Sequence, residues 1–243
     1  VGMVCSNFDN VIVIYNGANQ FELGFVDEYP QIKSVIWCPG TGNVGFNALG
    51  KVFSGEVNPS GKTPDTFIYD MTTAPWWNNA EKTEYTNLAD MAVEGMNAGT
   101  PQVYAPAFTN YVEGIYVGYK YYETAAQEGS IDYDKTVQYP FGYGLSYTKF
   151  EQKMGELDEK DGQISADVEV TNTGNVAGKD VVEVYYNPPY TNGGIEKSSV
   201  NLIEFAKTDM LQPGKSQMVT VTFSIEDMAS YDENNAHAYV LEK

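Results

Sequence analysis

Three motifs carry residue types whose spacing suits chemistry. Gly40-Thr41-Gly42-Asn43-Val44-Gly45 is a literal G-x-G-x-x-G, and Asp65 follows twenty residues after Gly45. In a dinucleotide-binding unit such glycines let backbone N–H groups cradle a pyrophosphate, and an acid at the next strand end takes the ribose hydroxyl. Asp65 instead follows Pro64 in a Pro/Gly-rich loop, ahead of the next apolar stretch. Close packing of helix against strand is the better reading of the glycines, and no cofactor is expected. Gly61-Lys62-Thr63 has the ending of a phosphate-binding loop, but Gly55 is one residue too far upstream and Pro59 removes an N–H that the cradle needs. It reads as a turn. His237 is the only histidine. A serine–histidine relay would have to run through it, and a zinc site would need Cys5 and Cys38 as well. A surface or strand histidine is expected there, two unpaired thiols at the cysteines, and no metal.

Carboxylates leave another chemistry open. Glycoside hydrolysis needs one carboxylic acid to protonate the leaving oxygen and a second carboxylate as nucleophile or base. The chain has 33 acidic residues, from which spacing alone selects no pair. Ten of its 19 tyrosines fall between Tyr104 and Tyr147, where rings could stack on sugar faces; core or interface packing is the stronger expectation for any one of them.

The elements that must position these residues change character along the chain. Val11–Tyr15 is a short β-branched run, which predicts a strand buried on both faces. An amphipathic helix with Phe21, Leu23, Phe25 and Val26 then closes before Pro30. A second strand, Ser34–Cys38, ends at Pro39-Gly40, and a helix over Phe46–Phe53 ends near Gly55. Strand, helix, strand, helix predicts a mostly parallel sheet with right-handed crossovers. Pro101, Pro106 and Pro140 argue against long helices in the aromatic region. From about Phe150 the apolar period becomes two: Ile164, Ala166, Val168 and Val170, then Val182, Val184 and Tyr186. Further runs at Leu202–Phe205, Val219–Phe223 and Ala238–Leu241 are separated by turn residues. Such spacing predicts an immunoglobulin-like β-sandwich. The expected architecture is α/β over residues 1–148 followed by an all-β domain over 149–243.

Composition narrows the partners. All 14 basic residues are lysines, and the formal charge is −19. Residues 1–149 carry 16 acids against 7 lysines and residues 150–243 carry 17 against 7, so the charge is no tail but a solvated surface. A chain this acidic repels phosphate backbones and anionic membranes, so nucleic-acid and membrane partners are not expected. The first residue is Val1 and no charged n-region precedes an apolar stretch, so no signal peptide is visible, the start reads as cut, and the compartment stays unknown.

Four blocks, in order, resemble glycoside hydrolase family 3. Asn47-Ala48-Leu49-Gly50 with Gly55-Glu56-Val57-Asn58-Pro59-Ser60-Gly61-Lys62-Thr63-Pro64 is similar to the family's "NPSGKLP" block. Tyr111 to Tyr122 resembles its "EGIYVGYRYY" strand, and Tyr139 to Thr148 its "FPFGYGLSYT" block. Asn172-Thr173-Gly174, Ala177-Gly178 and Pro213-Gly214 resemble its fibronectin type III-like domain. The resemblance implies the later part of an α/β sandwich domain with a β-sandwich behind it. It also implies a parent that hydrolyses terminal β-linked glucose or related sugars with retention of configuration. The family's nucleophile aspartate belongs to a (β/α)8 barrel, and its acid/base glutamate lies near an arginine-containing block. With no arginine and no barrel segment here, no catalytic residue is expected in this chain. The resemblance implies a missing barrel domain as partner, with the carbohydrate reached through the complete enzyme. Gly40, Thr41, Gly42 and Asn43, at the end of a parallel strand, are the residues expected to face the sugar. The alternative, from another class, is a stand-alone carbohydrate-binding or scaffolding module, with a nucleotide-binding domain behind it.

Overall fold

A computed structural model describes residues 1–79 and 83–242. The first part opens with a helical turn, α1 (Gly2–Cys5), and the strand β1 (Val11–Tyr15). A four-residue helix, α2 (Phe25–Glu28), crosses over to β2 (Ile32–Trp37), which runs parallel to β1 with Val13 opposite Val35 and Tyr15 opposite Trp37. Helix α3 spans Phe46–Phe53, the bounds its apolar spacing predicts, and stops where Gly55 takes φ +76°.

The mostly parallel sheet is not what forms. β1–β2 is a two-stranded parallel pair, and every other pairing among the described residues is antiparallel. After α3 the loop through Pro59, Gly61 and Pro64 carries the chain away. The two-residue strand β3 (Phe67–Ile68) is too short to extend the pair. Nor is β1 covered on both faces: Ile12 and Ile14 are 50% and 43% exposed while Val11, Val13 and Tyr15 are half-buried.

The aromatic region is built of short pieces. Strand β4 (Thr83–Glu84) precedes α4 (Leu88–Met91), and β5 (Val93–Asn97) turns back on β6 (Thr100–Tyr104) as a hairpin. β7 (Ala107–Phe108) pairs with β4. The block from Tyr111 is not a strand. Residues 111–117 form successive turns, Gly118 takes φ +59°, and α5 (Tyr119–Gln127) follows. The reason is local: the glycine resets the backbone direction, and Glu123-Thr124-Ala125-Ala126-Gln127 contains good helix formers. Helix α6 (Tyr133–Thr136) leads into β8 (Val137–Tyr139), which pairs with β3. Ile68, Ala74, Tyr122 and Val137 form the core of this half.

From Phe150 a β-sandwich takes over. Strands β9 (Phe150–Lys160) and β10 (Gln163–Asn172) form a hairpin, followed by β11 (Val181–Tyr186), β12 (Asn201–Lys207) and β13 (Ser216–Ser224). The order is β13-β10-β9 in one sheet and β11-β12 in the other. Val168, Val170, Val182, Leu211, Val219 and Val221 meet between them, so the alternating residues of both sheets share one core. A last hairpin pairs β14 (Ser230–Asp232) with β15 (Ala238–Val240). Among the described residues no helix is long and apolar enough to cross a membrane.

Candidate functional site

Two groups of residues stand out: the loops at the C-terminal edge of the parallel pair, and an interlock between the two halves of the chain. At the strand edge, the Cys38 N–H donates to the Tyr15 carbonyl (2.9 Å) and the Asn16 amide donates to the Cys38 carbonyl (2.6 Å). The Trp37 indole N–H donates to the Gly17 carbonyl at 2.7 Å. The loops after β1 and β2 are thus tied side by side. Phe21 stacks on Tyr15 with ring centroids 5.0 Å apart, which folds the first loop back on its own strand.

Gly40, Thr41, Gly42 and Asn43 lie in the second of these loops, with Thr41 half-buried and the other three exposed. Gly40 and Gly42 take φ +32° and +61° with open space where a Cβ would stand. At Gly45 a Cβ would come within 2.2 Å of the Thr41 carbonyl oxygen, because the Gly45 N–H donates to that oxygen at 3.1 Å. The Asn47 and Ala48 N–H groups turn inward as well, to Val44 and Gly45. Three N–H groups of this turn, those of Gly45, Asn47 and Ala48, are therefore spent within it. Asp65 is no ribose ligand either. It lies two residues ahead of β3, whose partner is β8 and not the parallel pair. The glycines serve the tight strand-to-helix turn.

What the edge does offer is neutral. Residues 39–45 contain no acid and no lysine, and neither do residues 16–21. Thr41 and Asn43 present a hydroxyl and an amide, and Gln20 keeps a buried Oε1 without a partner. Amides and hydroxyls suit sugar hydroxyls; being neutral, they supply no general acid or base.

The interlock is richer. Asn58 donates from Nδ2 to the Ala177 carbonyl (3.0 Å), and its Oδ1 accepts from Ser146 Oγ (2.9 Å) and the Tyr147 N–H (2.8 Å). Lys62 pairs with Asp180 at 3.2 Å. Thr63 exchanges backbone bonds with Tyr143 and Gly142, and its hydroxyl donates to the Pro140 carbonyl at 2.7 Å. Gly144 sits where a Cβ would meet the Gly61 carbonyl oxygen at 2.3 Å. The residues spelling Asn58 to Thr63 and Tyr139 to Tyr147 thus clasp each other and the β-sandwich. Gly61-Lys62-Thr63 is a structural turn with its lysine already paired.

The tyrosines follow the same logic. Tyr119 accepts from the Leu202 N–H (2.8 Å) and packs against Phe141 and Tyr185. Tyr116 donates to Glu196 at 2.6 Å, and Thr124 Oγ1 accepts from the Ser199 N–H. Burial, then the Glu196 carboxylate, pushes the Tyr116 hydroxyl up to about 12. Burial also raises Tyr122, Tyr133 and Tyr185, the last two aided by Glu123 and Glu183. These are interface and core rings rather than a sugar platform. Sequence patterns gave little sign of the interlock, because its partners lie 77 to 119 residues apart.

Displaced carboxylates are explained locally. Burial raises Asp65 against the opposing Thr66 N–H. The Thr72 hydroxyl and N–H lower Asp70, the Lys135 ammonium lowers Asp132, and the N–H groups of Ala236, Asn235 and Asn234 lower Asp232. His237 lies exposed at φ +49° in the turn between β14 and β15, outside the alternating strand expected for it. Cys5 is buried and Cys38 half-buried, both as free thiols. Among the described residues no three of His, Cys, Asp and Glu cluster as metal ligands.

Comparison with known proteins places this geometry. The model of the glycosyl hydrolase family 3 C-terminal domain matches residues 1–119, and that of a fibronectin type III-like domain matches residues 180–243. A β-glucosidase of Ruminococcus albus is 35% identical, over 98% of this chain and 22% of its own length. β-Glucosidase A of Butyrivibrio fibrisolvens is 36% identical, over 96% and 26%. A solved β-glucosidase from Paenibacillus barengoltzii superposes with a TM-score of 0.79 at 34% identity, over 98% of this chain and 24% of that one. The chain therefore spans about a quarter of the length of these relatives.

Proposed function

The chain belongs to the C-terminal region of glycoside hydrolase family 3, and from that premise we propose that it is the non-barrel part of a retaining β-glucosidase-like hydrolase. The observation that carries this reading is the asymmetry of coverage: β-glucosidases match nearly all of this chain, which matches about a quarter of them. The parent removes terminal β-linked glucose or related sugars from oligosaccharides and glycosides by double displacement. Its nucleophile aspartate and acid/base glutamate lie outside this chain, on a barrel domain and its neighbouring loop. Residues 1–148 form the partial α/β sandwich domain and residues 149–243 the fibronectin type III-like domain. The neutral edge at Gly40, Thr41, Gly42 and Asn43 faces the sugar, and the Asn58–Lys62–Thr63 interlock holds the two domains as one body.

An aryl β-glucoside assay tests this. The isolated chain gives only background hydrolysis, while the polypeptide including the barrel turns the substrate over. Turnover by the isolated chain that is abolished by changing one acid within residues 1–148 would sink the proposal. Micromolar sugar binding by the isolated chain in a titration would instead favour a carbohydrate-binding module.

A further inference from the structure

The sequence holds two Asn-Gly pairs, Asn16-Gly17 and Asn192-Gly193, and the fold treats them oppositely. A glycine after asparagine leaves its backbone nitrogen unshielded by a Cβ, within reach of the carboxamide one residue back. At the first pair that approach is blocked. Asn16 Nδ2 donates to the Cys38 carbonyl at 2.6 Å, and the Gly17 carbonyl accepts from the Trp37 indole N–H at 2.7 Å. Gly17 also lies against the Tyr15 ring, where a Cβ would overlap the hydroxyl. The second pair stands at the tip of the β11–β12 connection, where Thr191, Asn192, Gly193 and Gly194 are all exposed. The Gly194 N–H closes that turn on the Thr191 carbonyl at 2.8 Å, and Gly193 takes φ +80° with open space where a Cβ would stand.

We propose that Asn192 is a site of spontaneous modification, converting through a succinimide to aspartate and isoaspartate, while the fold keeps Asn16 intact. The Gly193 nitrogen attacks Asn192 Cγ. The new N–Cγ bond forms as the Cγ–Nδ2 bond breaks, the Gly193 amide proton passes to solvent, and the side-chain nitrogen leaves as ammonia. Water then opens the ring at either carbonyl. One water is consumed, one ammonia is released, and nothing is oxidised or reduced. The product carries one more negative charge at the loop tip. Its effect stays there, because the connection is pinned on both sides of the tip. Asn187 Nδ2 donates to the Ser199 carbonyl at 2.7 Å, and Lys197 donates to the Pro189 carbonyl at 2.6 Å. The Tyr116–Glu196 contact with the first half lies beyond the tip and is left in place.

Peptide mapping by mass spectrometry, on the polypeptide that carries this chain after incubation at mildly alkaline pH, reads both pairs at once. Freeing the Asn16 carboxamide breaks a hydrogen bond, so Asn192 should convert about tenfold faster than Asn16 in the native protein. In urea that protection is gone and the two rates should converge. Asn192→Gln should remove the main acidic isoform on ion exchange, and wild-type protein already converted at Asn192 should keep its unfolding midpoint. Native Asn16 converting as fast as Asn192 overturns the proposal. So does the same acidic isoform forming in Asn192→Gln. A lowered midpoint in the converted protein would overturn the confinement of the change to the loop tip.

Discussion

Lys62 Nζ lies 3.2 Å from Asp180 Oδ1, while Gln152 Nε2 donates to the other carboxylate oxygen at 2.8 Å. Asp180 is 8% exposed, so its charge depends on these two partners. Lys62→Met removes the compensating cation and leaves one neutral donor. We expect a loss of about 1–3 kcal/mol in chemical denaturation, partly recovered by Lys62→Arg. A change within error of zero would show that water reaches Asp180 and that the pair does not hold the domains.

Asn58 joins three backbone or side-chain groups from two segments, so its removal is felt by both halves. Asn58→Ala strands the Ala177 carbonyl and the Tyr147 N–H at a half-buried seam. The expected cost is about 2–3 kcal/mol. Asn58→Asp keeps the two accepted bonds but sets an oxygen against the Ala177 carbonyl, so it too destabilises. If thermal unfolding shows Asn58→Asp equal to wild type, the Nδ2 bond to Ala177 contributes nothing.

The glycines separate close contact from backbone conformation. Gly144→Ala drives a methyl to 2.3 Å from a backbone oxygen, and the clasp must open to admit it. Gly42→Ala meets no atom and suffers only from φ +61°, a penalty of about 1–2 kcal/mol. Gly144→Ala should therefore be the more damaging substitution, read as the lower midpoint in urea. The reverse order would mean that the loop at Gly61 yields easily.

Asp65 gives a pH signature. Burial raises its carboxyl above the ordinary 3.8, so the folded state binds the proton more tightly than the unfolded one. The wild type then loses stability as pH rises from about 3.8 through the raised folded value, and loses nothing further above it. Asp65→Asn keeps an acceptor for the Thr66 N–H, which donates at 2.8 Å, and removes the titration. Denaturation at several pH values should show the variant more stable at neutral pH and the difference vanishing below 3.8. A constant difference across that range would point to packing instead.

How much of this was legible depends on whether the signal is local. β1 and α3 came out at the expected residues because a β-branched run and an apolar stripe repeat at their own periods. Periodicity does not predict β9: every residue from Glu151 to Lys160 is exposed, so charged and apolar side chains show no buried face. The resemblance reads Tyr111 to Tyr122 as a strand, whereas the positive φ at Gly118 turns the chain into α5. The glycine loop is visible as a motif, but the bond from the Gly45 N–H back to the Thr41 carbonyl is a property of three-dimensional closure. The interlock lay in the same blocks that suggested the family, and their contacts cross 77 residues or more.

Lys197 and Glu242 form an unequal ion pair. The lysine side chain is 3% exposed and the glutamate 42%, and Lys197 also donates to the Pro189 carbonyl at 2.6 Å. The pair ties the end of the described chain to the β11–β12 connection. Its asymmetry sets an order for two variants. Glu242→Gln leaves an ammonium buried with weaker acceptors, at an expected cost of about 1–3 kcal/mol. Lys197→Met leaves a carboxylate that can turn to water, and its methylenes are kept by the methionine, so it should cost less. Urea unfolding of both variants decides the matter. A Lys197→Met loss equal to or larger than that of Glu242→Gln would mean that the Pro189 bond, not the ion pair, anchors this end.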